Sequence, residues 1–295
     1  MKIHGFHHIT MNCRDARENV SFYRDFLGFR MVKQTVNFDD PFTYHLYYGD
    51  DNGSPGTLLT FFPFADIPEG KHGNNEIRTL TFAISSKSLV FWKERLEKER
   101  ISFVEDTRFS QHALLFNDPD GLEIRLVAVS SQLPKAAALG IHALCGLYSV
   151  ELHVPDASTL FPLLAALGYK ETAVEGNVTR FVASRDHSFL DVVVSQEPQC
   201  RFGYGTVHHL AFHASDDSHA EVREELRAMG FGATPVIDRQ YFRSIYFRTF
   251  EGLLFEVATT GPGMFVDEEN LGATLQIPLQ HTHIEKKIKE RLSTL

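Results

Sequence analysis

Two histidine doublets, His7-His8 and His208-His209, stand near opposite ends of the chain, and one glutamate, Glu256, sits inside the apolar run Leu253-Leu254-Phe255-Glu256-Val257-Ala258. Two histidines and one carboxylate form the facial set with which non-haem Fe(II) oxygenases hold iron while leaving positions open for substrate and dioxygen. A carboxylate in an apolar strand is costly to bury alone, and a cation is its natural partner. Taken singly, each histidine says little. The chain has 15 of them, and a histidine on a strand is ordinarily a core residue with its hydrogen bonds satisfied, or a partly exposed one. What joins these three is their place in a repeat.

The segments Phe6 to Asn12, Ile77 to Ala83, Leu147 to His153 and Val207 to His213 resemble one another, and each precedes a helical pattern that ends near a glycine or a short turn. The first is followed by Asp15 to Leu27, where Val20, Tyr23 and Leu27 recur at helical spacing before Gly28. Strands are expected at Arg30 to Asn37, Thr43 to Tyr48 and Thr57 to Pro63. The second copy repeats the order, with a helix from Ser88 to Lys98 and the turn Asp118-Pro119-Asp120-Gly121 before its last strand. The third has its helix at Ala157 to Leu167 and its last strand at Phe189 to Val194. The fourth has a helix at Ser218 to Met229 and strands at Thr234 to Asp238, Ser244 to Arg248 and Leu253 to Ala258. The chain is therefore read as α+β, four βαβββ modules at about 1-65, 76-130, 143-197 and 206-260, in two sequence halves, 1-135 and 141-265, with the linker near Pro134-Lys135. A tail, 266-295, places Ile284, Ile288 and Leu292 on one helical face, suited to docking on the body or on another subunit, so a homo-oligomer is left open.

The repeat lets the copies act as controls for one another. The equivalent position on the first strand is filled by His8, Thr79, Ser149 and His209, and that on the last strand by Thr60, Arg125, Val192 and Glu256. Of these eight only His8, His209 and Glu256 are strong metal ligands. His4, His45, His72, His112, His187, His219, His281 and His283 have no counterpart and read as surface or supporting residues; His142 and His153 read as structural, and His213, on the same strand face as His209, is undecided.

Composition excludes several classes of function. With 43% hydrophobic and 23% charged residues the chain is that of a folded protein, and a net charge of -9 without a basic cluster argues against nucleic-acid or anionic-membrane partners. No run has membrane-spanning or signal-peptide character. Cys13, Cys145 and Cys200 have neither CxxC spacing nor an even count, which argues against a disulfide framework or a thiolate zinc site and for the cytoplasm.

The modules with these ligand positions resemble the vicinal oxygen chelate superfamily of glyoxalase I, fosfomycin-resistance proteins and extradiol ring-cleaving dioxygenases. Phe6-His7-His8-Ile9-Thr10, Val207-His208-His209-Leu210-Ala211-Phe212, Asp238 to Arg248 and Gly252 to Thr259 are similar to its hydroquinone 1,2-dioxygenase group, over nearly the whole chain. The resemblance implies Fe(II), with Mn(II) as the other candidate, held by His8, His209 and Glu256. It also implies substrate-pocket roles for His7, Thr10, His208, Arg239 and Tyr246, and ring opening of a para-diphenol by O2 to a semialdehyde acid. His208 is then expected to take up a phenolic proton, and Tyr246 or Arg239 to bind the hydroxyl that cannot reach the metal. Two-domain catechol enzymes take their ligands from the third and fourth modules. Here Ser149 holds the third-module position and His8 the first, so modules one and four are expected to face each other around the metal. A glyoxalase-type isomerase or thiol transferase would need a better fourth ligand than Thr60. A non-catalytic aromatic-binding or quinone-binding protein would share the fold without needing the triad.

Overall fold

The computed structural model describes residues 1, 3–130, 139–183, 188–292 and 295; the expected linker near residue 135 and His187 lie outside them. Module one is β1 (Ile3–Cys13), α1 (Ala16–Val20), β2 (Arg30–Val36), β3 (Tyr44–Gly49) and β4 (Leu58–Pro63). Module two is β5 (Glu76–Ser85), α2 (Leu89–Lys98), β6 (Phe103–Arg108), β7 (Gln111–Asn117) and β8 (Glu123–Val129). Module three is β9 (Leu147–Val154), α3 (Leu160–Ala166), β10 (Tyr169–Glu175), β11 (Val178–Ala183) and β12 (Phe189–Val194). Module four is β13 (Val207–Ala214), α4 (His219–Ala228), β14 (Ile237–Asp238), β15 (Arg243–Arg248) and β16 (Leu254–Ala258). The order strand, helix, three strands holds in all four.

Modules pair across the sequence, not within its halves. One eight-stranded sheet runs β14-β15-β16-β13-β1-β4-β3-β2 and joins modules four and one; the other runs β10-β11-β12-β9-β5-β8-β7-β6 and joins three and two. The seam of the first is antiparallel β1–β13, with Thr10 opposite His209 and His8 opposite Ala211. Within each module the first and last strands are parallel. Parallel strands need a crossover, and the helix supplies it while burying its apolar side on the sheet. Trp92 and Leu96 of α2 and Val222 and Leu226 of α4 carry that contact.

Three elements are shorter than their sequence patterns suggest, each for a local reason. The expected helix from Asp15 stays α-helical only to Val20, then widens into a π-helical turn closed by the Leu27 N–H on the Phe22 carbonyl. In module three the helix starts at Leu160, because Pro162 lacks an N–H and is tolerated only in the first turn. The strand expected from Thr234 pairs only at Ile237–Asp238, since Pro235 cannot donate to a ladder.

The register also corrects one expected position. Glu256 lies opposite Ala211, two residues beyond His209, and Arg125 opposite Thr81, two beyond Thr79. By the same rule the module-three position belongs to Asp191, opposite Glu151, and not to Val192. Modules two and four set this register with tight turns at Gly121 and Gly252, both at positive φ, and module three has no such marker.

Beyond β16 the chain returns across the outside of module one. Gln276 N–H donates to the Gln34 carbonyl, and the buried Lys33 ammonium sits 2.7 Å from Asp267 and 2.6 Å from Glu268. α5 (Glu285–Arg291) buries Ile288 completely. Gln280 Nε2 and His281 Nε2 donate to one acceptor, the Phe38 carbonyl, at 2.7 and 3.0 Å.

Candidate metal centre and its pocket

His8, His209 and Glu256 come together at the β1–β13 seam, buried, with one ligand atom from each within 4.8 Å of the others; among the described residues they are the one such group of three. His8 Nε2 is 3.2 Å from His209 Nε2, and Glu256 Oε2 is 3.3 Å from the first and 2.8 Å from the second. Donors about 2.0–2.2 Å from one ion, at angles between octahedral and tetrahedral, lie about 2.8–3.6 Å apart. Glu256 Oε2 is fully buried and, despite its closeness to both nitrogens, makes no hydrogen bond among the described residues. The donor set therefore fits a divalent metal. Burial alone would raise the Glu256 pKa, but His8 and His209 override it and hold the carboxyl well below its ordinary value. Ser244 Oγ donates to its other oxygen, Oε1.

The preceding histidine of each doublet lies against the candidate ligand that follows it. His7 Nε2 lies 3.0 Å from the Thr259 carbonyl, which can only accept, so this nitrogen carries the proton and His7 Nδ1 is left as an acceptor. His8 Nδ1, 2.9 Å away, must then donate, which leaves the His8 Nε2 lone pair for the metal. Burial, followed by the nearness of His8, keeps His7 neutral by lowering its pKa well below 6.5. His208 stands to His209 in the same relation, with Nδ1 atoms 2.7 Å apart. Burial, then His209 and Arg248, bring the His208 pKa down to about 3. Where His209 Nε2 serves a metal, His209 Nδ1 carries the proton and donates to His208 Nδ1.

A cavity of about 240 Å³ opens on His8 and His209. That exceeds the roughly 150 Å³ that takes up a benzene ring in an apolar protein interior. Phe38, Phe62 and Phe242 supply aromatic walls, with Tyr47, His45, His208, Arg239 and Tyr246 among the polar groups. Arg239 Nε donates to Tyr246 Oη at 3.1 Å and its Nη2 to Asp39 at 3.3 Å. Burial and the Glu256 charge raise the Tyr246 pKa, so the phenol stays protonated.

The structure brings seven of the eight expected site residues to the triad, its two flanking histidines and the pocket: His7, His8, His208, His209, Arg239, Tyr246 and Glu256. The eighth, Thr10, is buried and does not line the cavity, but its hydroxyl lies 2.9 Å from His209 Nε2. His213, undecided from sequence, bonds to Thr260 Oγ1, meets His4 edge-on at 5.0 Å, and is not one of the triad. His45 is the residue the sequence reading missed: it is buried and lines the cavity. A signal for it existed in the repeat, because Tyr47 lies opposite Thr60 as Tyr246 lies opposite Glu256, and His45 and Ser244 each stand two residues earlier.

The corresponding place in the second sheet is filled by ion pairs. Arg125 is 2.6 Å from Glu151 and 3.0 Å from Asp106, and Arg180 is 2.6 Å from Asp191. Guanidinium groups there occupy the region that the triad keeps open in the first sheet.

Residues 5–126 match the model of the Glyoxalase/Bleomycin resistance protein/Dioxygenase superfamily. The chain is 38% identical to MhqE of Bacillus subtilis (strain 168), a protein provisionally named a ring-cleaving dioxygenase, over 94% of each chain. It is 32% identical to the chlorohydroquinone/hydroquinone 1,2-dioxygenase of Sphingobium indicum, over 95% of this chain and 92% of that one. A crystal structure of a provisionally named dioxygenase from Bacillus subtilis superposes with a TM-score of 0.95 at 34% identity, covering 100% of this chain and 98% of the other. No helix among the described residues is long and apolar enough to cross a membrane. With this fold, this seam and these relatives, the chain belongs to the glyoxalase and dioxygenase superfamily, in its group of ring-cleaving dioxygenases.

Proposed function

We propose that the protein is a cytoplasmic, non-haem Fe(II)-dependent dioxygenase that opens the ring of a hydroquinone-type para-diphenol to a semialdehyde acid. The observation that carries this reading is the convergence of His8, His209 and Glu256, at 2.8–3.3 Å, on a cavity sized for one aromatic ring. Fe(II) suits two imidazoles and one carboxylate with open positions, Mn(II) is the other candidate, and the bound metal would supply a Lewis-acidic centre for a phenolic oxygen and O2.

The chain's own residues then divide the work. His7 and His208 fix the ring orientation and tautomer of His8 and His209. Phe38, Phe62 and Phe242 hold the ring and exclude water. A para-diphenol that directs one hydroxyl to the triad needs a partner for the other, and the Tyr246–Arg239 pair offers one at the cavity wall. An isomerase or thiol transferase of glyoxalase type would want a fourth protein ligand, and Thr60 Oγ1 is already engaged by Thr10 at 2.7 Å and His45 at 3.1 Å.

The test is oxygen uptake by the anaerobically Fe(II)-loaded protein with hydroquinone, methylhydroquinone and chlorohydroquinone, compared with catechol. Uptake with the para-diphenols and absorbance from an opened ring are expected. Uptake with catechol alone would overturn the pocket assignment, and none with any diphenol would overturn the dioxygenase reading.

A further inference from the structure

A second cavity, of about 370 Å³, adjoins the ring cavity and shares His208 and Leu254 with it. The His208 imidazole is met edge-on by Phe62 from the ring cavity and by Phe202 from the second, each with its ring centroid 5.7 Å away. Strand β15 runs past both. Tyr246 and Arg248, two residues apart, lie on one face of the sheet; Tyr246 lines the ring cavity opposite Glu256, and Arg248 lines the second cavity opposite Leu254. The second cavity is therefore the next row of the same sheet face, about 7 Å along the strand.

The polar groups of this second cavity decide what it can hold. The exposed Arg248 guanidinium donates through Nη1 to the Gly252 carbonyl at 2.9 Å, which steadies it, and among the described residues no carboxylate pairs with it. Arg239 in the ring cavity is by contrast committed to Tyr246 and Asp39. Glu76, the acid of the lining, is 6% exposed and already satisfied, by the Gly73 N–H at 2.7 Å and by His72 Nδ1 at 3.1 Å. Asn75, held at φ 62°, keeps its Oδ1 buried with no hydrogen-bond partner among the described residues. An unpaired guanidinium and an unmet carboxamide oxygen thus line one cavity, beside apolar Leu253, Leu254 and Phe202. In a chain of net charge -9, a cation left without a carboxylate next to the ring site marks a place for an anion.

We propose that this cavity is a carboxylate subsite, and that the preferred substrate is a para-diphenol bearing a short acidic side chain, such as carboxymethylhydroquinone; this rests on the ring cleavage proposed above. With the ring among Phe38, Phe62 and Phe242, the side chain passes His208 and Leu254 into the second cavity. One or two carbons and the Arg248 side chain together cover the spacing of one row. The carboxylate oxygens accept from the Arg248 guanidinium. An ordered water that donates one hydrogen to the carboxylate and the other to Asn75 Oδ1 satisfies both acceptors. A methyl or chloro substituent is too short to reach Arg248.

The test separates binding from turnover. Protein loaded with redox-inert Zn(II) is titrated calorimetrically, without oxygen, with carboxymethylhydroquinone and with methylhydroquinone, and Fe(II)-loaded protein is assayed for oxygen uptake with both. The wild type should bind the acid about fivefold more tightly than the methyl compound, the size an exposed charge pair allows, and the margin should shrink in added sodium chloride. Arg248→Gln should erase the margin in both Kd and KM, and Arg248→Lys, which keeps the charge, should restore part of it. A margin unchanged by Arg248→Gln, or a wild type that binds and cleaves methylhydroquinone with no preference for the acid, would overturn the subsite and leave ring cleavage standing. A wild type that binds neither compound and consumes no oxygen with either would remove both.

Discussion

Tyr47 faces Thr60 across β3–β4 in the register in which Tyr246 faces Glu256 across β15–β16, so Thr60 and Glu256 hold equivalent positions in modules one and four. A carboxylate at Thr60 would complete a four-ligand set. Thr60→Glu is expected to hold metal at least about tenfold more tightly in chelator competition, since one added protein ligand fills an open position, and to lose oxygen uptake. Unchanged affinity would show that the position does not face the metal.

Removing a ligand should act in the opposite direction. His8→Ala and Glu256→Ala are each expected to abolish metal retention, read by elemental analysis after desalting, while circular dichroism shows the folded chain. Stoichiometric metal in both would dismiss the triad.

The doublets predict an effect one residue away from the ligands. His208 Nδ1 lies 2.7 Å from His209 Nδ1 and accepts from it when His209 Nε2 serves a metal, and losing such a support typically costs about 10–100-fold in metal affinity. His208→Ala should show a loss of that size, and His208→Gln, whose amide oxygen can still accept, should recover part of it. Equal affinity in all three proteins would argue that His208 does not orient His209.

Tyr246→Phe removes a hydroxyl that Arg239 now holds. If that pair binds the far hydroxyl of the substrate, KM for hydroquinone should rise about fivefold, corresponding to about 1 kcal/mol for one hydrogen bond, with less change for catechol. An equal rise for both would place the hydroxyl elsewhere.

The second sheet offers a test by pH. Burial favours a neutral Glu151, but His153, Arg125 and Arg108 outweigh it and hold its pKa well below the ordinary carboxylate range. A group lowered in the folded state contributes stability above its unfolded pKa, near 4.3, and loses it as pH falls toward the folded value. Unfolding free energy should therefore fall below about pH 5. Glu151→Gln should flatten that slope and cost about 3–5 kcal/mol at neutral pH by leaving a buried guanidinium unpaired. An unaltered slope would refute this assignment.

The sequence alone determined the repeat, the candidate ligand set and the pairing of the outer modules, because each is written in local terms: period-two and helical spacing, turns at Gly121 and Gly252, and ligand-type residues at matching positions of modules one and four. What lies across from a side chain is not written locally. His45 meets Thr60 fifteen residues away, and Thr10 meets His209 one hundred and ninety-nine away. Periodicity tells which face of a strand a residue occupies and says nothing of what faces it. The contact of His208 with His209, the hydrogen bonds of Thr60 to Thr10 and His45, the place of Asp191 and the tail's hold on Phe38 were decided only by the tertiary structure, through strand register and the hydrogen bonds that register brings within reach.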